Sequence, residues 1–369
     1  MNIVFSALLL YYFIIRPLPA GRSIQKGFYI IENLTDLNLK SENDCVNNSR
    51  SSKLIILFNE ERKRKHLYDQ YPTLDSCSCS NCEFTTNQNG LQSADAVIFN
   101  IGIRNERMGT EPPIPGYLRN ANQVWIFVSN FPPVDYYNLD YERESWYNTM
   151  NWSISYTLNS DIVDARGYLL PQDVIPGKDY KYVYNRKTRN ALWLVRQCQS
   201  SSARRQYITE MTNHGFEVDM LGVCGNDGLE VKDLYKIIPK YKFYLAFETA
   251  LCDDFISEKF FRNYNHDWII VVRGGADYHK LIPTNTYINT ADFKDISSLV
   301  AYLMKLGSSE QDYINFLQSK DRYKSIVNDP DALKCEICKR LNNLPKYRKT
   351  FSRMDMHTNI SQCRRPNDL

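Results

Sequence analysis

Between Glu248 and Lys259 the chain sets four carboxylates and one ammonium: Glu248, Asp253, Asp254, Glu258 and Lys259. A lysine beside a glutamate at the opening of a helix suits a phosphate-bearing ligand. Lys259 would supply the cation and Glu258 would accept sugar hydroxyls. Asp253 and Asp254 stand where that helix is expected to begin, at the end of its dipole that favours negative charge. Adjacent aspartates lack an Asp-x-Asp spacing and read better as a helix start, so no metal pair is read here. The element that must position these groups is a strand over Tyr241–Glu248. Phe243, Leu245 and Phe247 alternate there with Lys242, Tyr244 and Ala246. A strand running into a helix with charges at the turn is a recurrent phosphate site in open α/β sheets.

Other reactive groups lie elsewhere. Asp135, Asp140, Glu142 and Glu144 follow an apolar strand and read as a solvated loop. The ten cysteines include a tight cluster, Cys77, Cys79 and Cys82, and one CxxC, Cys335–Cys338. These could join in a zinc site or in disulfides, and the secretory features below favour disulfides.

The chain has 369 residues, a length at which two domains are expected. It is 43% hydrophobic and 24% charged, as a globular protein is, and its net charge of +3 with no basic patch gives no nucleic-acid partner. Asn2–Ile15 is an apolar run closed by Arg16 and Pro17. It is short against the roughly 20 residues of a spanning helix, which leaves a membrane anchor and a cleaved signal peptide both open. Sequons at Asn33, Asn47, Asn151 and Asn359 favour a secretory route. Lys53–Phe58, Asp95–Ile101, Gln123–Ser129, Asn190–Gln197 and Trp268–Gly275 read as buried strands. With helices between them they predict parallel sheets covered on both faces.

The stretch YKFYLAFE at 241–248, followed by an Asp before an aromatic and by Glu258-Lys259, resembles the donor motif of the Golgi α-1,3-fucosyltransferases. Ala94-Asp95-Ala96-Val97, Gln123-Val124-Trp125, Met150–Tyr156, Arg204 with Tyr207, and Val218–Gly225 are similar to further motifs of that family. The resemblance covers about residues 53–340, strongly in the second half, and is that of a divergent, invertebrate-like member.

This resemblance implies an α/β fold of GT-B type, two Rossmann-like domains facing across a cleft. Expected boundaries are 1–20 for a signal-anchor and 21–52 for a stem. Then come 53–170 for the acceptor domain, 171–186 for a linker, 187–330 for the donor domain and 331–369 for a segment tied back by disulfides. It implies inverting transfer of fucose from GDP-fucose to a GlcNAc-containing glycan of a glycoprotein or glycolipid. Arg204, Tyr244, Glu248, Glu258 and Lys259 would contact the donor, with Lys259 and Arg204 on the diphosphate and Tyr244 near the guanine or ribose. No metal would be obligatory, although a divalent cation could stimulate. The protein would sit in the Golgi membrane as a single-pass type II protein with its catalytic part lumenal. Cys335 and Cys338 would be bridged to Cys82 and to Cys77 or Cys79. Cys198 is expected to pair with Cys224, because the two follow successive strands of one sheet. The family's general base falls at Phe131, which cannot take a proton, so no catalytic residue is assigned. Thr157, Arg166, Arg196, Gln197, Thr249 and Phe255 also depart from the family pattern. The alternative is an inactive member acting as a lumenal binding or scaffolding protein.

Overall fold

The computed structural model describes residues 45, 52–59, 74, 77–101, 109–135, 139–172, 177–223, 225, 234–327, 330–354 and 359–369. The N-terminal apolar run, the Asn33 and Asn47 sequons and Cys224 lie outside the described residues.

Two open parallel sheets form the molecule. The first contains β1 (Lys53–Leu57), β2 (Cys82–Thr85), β3 (Ala96–Asn100), β4 (Val124–Ser129), β5 (Trp152–Ser155) and β6 (Ile162–Val163), in the order β2-β1-β3-β4-β5-β6. Its strands are apolar on both sides because both faces are covered. Ile56, Val97, Phe99, Trp125 and Phe127 pack under Tyr141, Trp146 and Met354. On the other face Ile55, Leu57, Ile98, Ile126 and Ile154 meet Ile337 and Leu341 of the C-terminal segment.

Before the second sheet comes β7 (Gly167–Pro171), and after its helices comes β14 (Tyr323–Val327). The two pair antiparallel as a ribbon at the crossing between domains. Gly167 is required there, since a Cβ would lie 2.4 Å from the Phe261 ring and 2.7 Å from the Ile326 carbonyl. The stretch expected as linker also contains helix α1 (Tyr180–Asn185), because Tyr180, Val183 and Tyr184 form an apolar stripe that packs on the second core.

The second sheet is β8 (Arg189–Leu194), β9 (Val218–Leu221), β10 (Tyr241–Phe247), β12 (Ile269–Arg273) and β13 (Ile288–Asn289), ordered β13-β12-β10-β8-β9. Helices α2 (Arg204–Asn213), α4 (Ile296–Ser308) and α5 (Glu310–Lys320) cover one face. Helix α3 (Glu258–Tyr264) covers the other through Phe260, Phe261 and Tyr264. The architecture is GT-B.

The chain closes with α6 (Pro330–Asn342), which lies on the first sheet, and with a tail whose β15 (Cys363–Arg364) pairs antiparallel with β11 (Leu251–Cys252). Disulfides Cys77–Cys335 and Cys82–Cys338 hold α6 against the first domain, as the resemblance implies. These sulfurs are thereby committed to one another and not to zinc. Cys45–Cys79 and Cys252–Cys363 are two further bridges. Cys198 is disulfide-bonded.

Candidate active site

The loops leaving the carboxyl ends of β4 and β5 meet the loop leaving β10. Tyr156 stands edge-on to Phe255 with ring centroids 5.0 Å apart, in a small cluster with Val134, Ala250, Cys252 and Cys363. The Asp254 carboxylate accepts from the Leu158 amide at 3.0 Å. Asp253 and Asp254 therefore do not begin the helix. Asp254 has a left-handed backbone (φ 59°) in a turn that joins the domains. The helix begins at Glu258, and Ser257 caps it by accepting from the Lys259 amide.

Glu248, wholly buried at the end of β10, accepts from the Ser257 amide at 2.8 Å and from Lys259 Nζ at 3.4 Å. The Lys259 ammonium also reaches Ser257 Oγ at 3.0 Å, while its side chain stays partly exposed to the cleft. Glu258 next to it is pulled up by partial desolvation. Lys259, Arg166 and Arg262 outweigh that and hold its carboxyl below the usual value.

One expected donor contact is corrected. Tyr244 is fully buried in the second core and stacks on Trp268 at 4.7 Å, so no nucleotide ring reaches it. Arg204 is also buried. Its Nη1 and Nη2 donate to the carbonyls of Phe247 (3.0 Å) and Gln197 (2.8 Å) and brace strand ends, while its Nε has no partner among the described residues. Burial lowers its pKa, with Glu248 and Asp135 opposing that shift.

The Asn151 sequon is also corrected. Its Nδ2 donates to the Lys349 carbonyl at 2.8 Å, and its Oδ1 accepts from the Trp125 amide and from Arg119. A glycan on that nitrogen would displace the segment at 349–350. Asn359 is exposed.

The loop after β4 holds what the sequence reading set aside. Phe131 is exposed, and Arg166 steadies the turn by donating to the Asn130 carbonyl at 2.7 Å. Asp135, half-buried, crosses to the second domain and bonds the Thr249 hydroxyl. Burial raises its pKa despite that bond and despite the charges of Arg204 and Lys259. Asp140, Glu142 and Glu144 lie farther along, in two single turns over Asp140–Glu142 and Glu144–Trp146. Among the described residues, four buried polar atoms near this junction have no hydrogen-bond partner: Ser129 Oγ, Asn130 Oδ1, Tyr156 OH and Arg204 Nε. Buried polar groups are nearly always paired, so such a cluster marks a place built for a polar ligand. An acidic residue four positions past the motif place is a sequence signal for Asp135. Only the contact with Thr249 distinguishes it from a solvated loop residue.

Comparisons with known proteins agree with this geometry. A family model described as "Fucosyltransferase, N-terminal" matches residues 50–167, and one described as "Glycosyltransferase family 10 (fucosyltransferase) C-term" matches 184–357. The chain is 29% identical over 293 residues to the Drosophila melanogaster α-(1,3)-fucosyltransferase C, covering 72% of this chain and 66% of that one. It is 29% identical over 291 residues to the human α-(1,3)-fucosyltransferase 7, covering 75% and 80%. The crystal structure of an α1,3-fucosyltransferase with GDP superposes with a TM-score of 0.50 at 15% identity, over 80% of this chain and 92% of that chain, and so shares the fold. With one family model on each sheet of a GT-B fold, the chain belongs to glycosyltransferase family 10, the fucosyltransferases.

Proposed function

We propose that the protein transfers L-fucose from GDP-fucose, with inversion, to a hydroxyl of a GlcNAc-containing glycan on a glycoprotein or glycolipid, forming an α-1,3 bond. The names of its relatives support the linkage, and a crystal structure that shares its fold holds GDP. The observation that carries the reading is the position of Asp135. It brings a desolvated carboxylate from the acceptor side to within the field of Lys259 on the donor side.

In this mechanism the acceptor oxygen forms a bond to the fucose anomeric carbon while the bond from that carbon to the β-phosphate oxygen breaks. Asp135 takes the acceptor proton, replacing the base that Phe131 cannot be. GDP leaves with the bonding electrons, and Lys259 offsets the charge that develops on it. Glu258 accepts from ribose or fucose hydroxyls. A raised pKa makes a carboxylate a better proton acceptor near neutrality. A divalent cation would stimulate by screening the diphosphate without being required.

We place the protein in the Golgi lumen, attached to the membrane by its N-terminal apolar run as a single-pass type II protein. The disulfides and the exposed Asn359 sequon support an oxidising, glycosylating compartment. Removal of glycans by an N-glycosidase should shift the mobility of the native protein, and an unmodified cytosolic product would refute the placement.

The transferase reading is tested by GDP-fucose turnover of the full chain on a glycan array. Fucose transfer to a GlcNAc-containing acceptor is expected. GDP binding without turnover on any acceptor would leave a lumenal binding or scaffolding protein instead.

A further inference from the structure

Arg273 ends β12 with 2% of its surface exposed, on the sheet face whose other β12 side chains are Ile269 and Val271. Its guanidinium lies 4.5 Å over the Tyr207 ring, and Nη1 donates to the Ser202 carbonyl at 2.6 Å. The opposite edge, Nε and Nη2, donates to both oxygens of the Asp368 carboxylate at 2.9 and 2.7 Å. Arg273 neighbours the candidate active site through its Nη1 partner Ser202 and through its carbonyl, which accepts from the Glu248 amide at 2.9 Å. The Ser202 amide donates to the Thr249 carbonyl at 3.1 Å, and the Thr249 hydroxyl bonds Asp135.

A charged guanidinium at the carboxyl edge of a parallel sheet stands where ligands of such sheets bind. Its paired N–H groups fit phosphate oxygens as well as a carboxylate. Here the chain's own tail supplies the anion. The Asp368 side chain is 39% exposed, so solvent and ligand can approach the pair. The tail is anchored at Cys363 and Arg364. Cys363 is bridged to Cys252, and Cys363–Arg364 is paired with Leu251–Cys252. Gly275 permits that close packing, since a Cβ there would lie 2.4 Å from the Leu251 carbonyl carbon. The segment beyond Arg364, which carries Asp368, would have to move to uncover Arg273.

We propose that the Nε–Nη2 edge of Arg273 is a subsite for the phosphates of the nucleotide, and that Asp368 holds this edge when no nucleotide is bound. The inference rests on the reading of the chain as a nucleotide-sugar transferase and adds a phosphate contact absent from its motif. Donor and tail compete for the same two N–H groups. The apparent affinity for the donor is therefore lowered by the fraction of chains whose tail is docked.

Titration calorimetry on the full chain tests this, with GDP, inorganic pyrophosphate and guanosine as separate probes. Asp368→Asn removes the competing charge at an exposed position and leaves the Cys252–Cys363 anchor in place. It should tighten GDP and pyrophosphate about tenfold and leave guanosine unchanged. In the Asp368→Asn background, Arg273→Lys keeps the charge but loses the paired edge, and should cancel the gain. Equal affinities for GDP and pyrophosphate in wild type and Asp368→Asn would overturn the proposal. So would an equal gain for guanosine, which would mean that the tail blocks the nucleoside pocket. Failure of both chains to bind either anion would overturn it as well. Tightened pyrophosphate binding without any fucose turnover would keep the subsite and sink the transferase reading.

Discussion

On the donor side of the cleft Glu248 and Arg204 are bonded into the fold. Glu248 is held by Ser257 and Lys259, and Arg204 braces the carbonyls of Phe247 and Gln197. On the acceptor side the loop after β4 exposes Phe131, leaves Asn130 Oδ1 without a partner among the described residues and extends Asp135 toward Thr249. The side richest in family motif is thus a rigid platform, while the side that departs from the motif carries the half-buried carboxylate free to move a proton. Motif density here follows burial, because packed residues tolerate less change than the reactive loop beside them.

The sharpest test of this contrast is Asp135→Asn. It should lower kcat by about 100- to 10,000-fold with the melting temperature and GDP affinity unchanged. In the wild type, kcat should fall with acidification as Asp135 takes its proton, with a midpoint above the ordinary aspartate range because burial raises that pKa. An unaltered kcat for Asp135→Asn would return the acceptor-side loop to solvent-facing scaffold.

Glu248→Ala should act in the opposite currency. It leaves the Ser257 amide and the Lys259 ammonium without their buried partner. The loss should be about 3–5 kcal/mol of unfolding free energy, the range for breaking a buried pair, measured by denaturant titration. If stability holds while donor affinity alone drops, Glu248 is a ligand group and the platform description fails.

Replacing Cys252 and Cys363 together by serine should cost about 2–4 kcal/mol of stability. It should also free the tail at Cys363, which limited proteolysis would detect. No change in either would show that the β11–β15 pairing alone fixes the tail.

The smallest expected effect lies away from the cleft, at Lys187. Its buried Nζ has no hydrogen-bond partner among the described residues, and burial pushes its pKa down to about 7. The unfolded chain binds this proton more tightly, so the destabilisation is full below about pH 7 and fades as pH rises toward the unfolded value of 10.5. Lys187→Met should therefore gain about 1–3 kcal/mol near pH 7 and nothing in strong base. A gain that does not depend on pH would point to packing and not to charge.

Much of the scaffold was legible because the central strands of each sheet are short apolar runs covered on both faces. Residues 96–100 and 124–129 stand out in the sequence without any alternation to interpret. The same property hid the role of Tyr244. Alternation along β10 separates two faces, and both are core, so a polar-tipped ring gave no sign of being enclosed. Arg204 was found at the correct end of its helix, but its bonds to two backbone carbonyls are invisible in one dimension. The contact between Asp135 and Thr249 joins loops far apart in sequence, which no local spacing encodes. The Cys252–Cys363 bridge was missed for a similar reason, since β11 and β15 are two residues each and carry no periodicity.

The closure of the first sheet by α6 has a consequence for the order of synthesis. Translation delivers the six strands of that sheet long before the helix that covers one of its faces. The bridges from Cys335 and Cys338 reach back across 258 and 256 residues. Nascent chains usually complete their amino-terminal unit first. Here the middle of the chain, from β8 to α5, can close while the ribosome is still working, and Ile55, Leu57, Ile98 and Ile126 wait uncovered. A ribosome-stalled chain ending before residue 330 should therefore protect β10 and β12 from hydrogen exchange before it protects β1 and β3. The first sheet is the part of the newborn chain that chaperones and thiol oxidases must attend longest, until the last turn of α6 emerges and is stapled down.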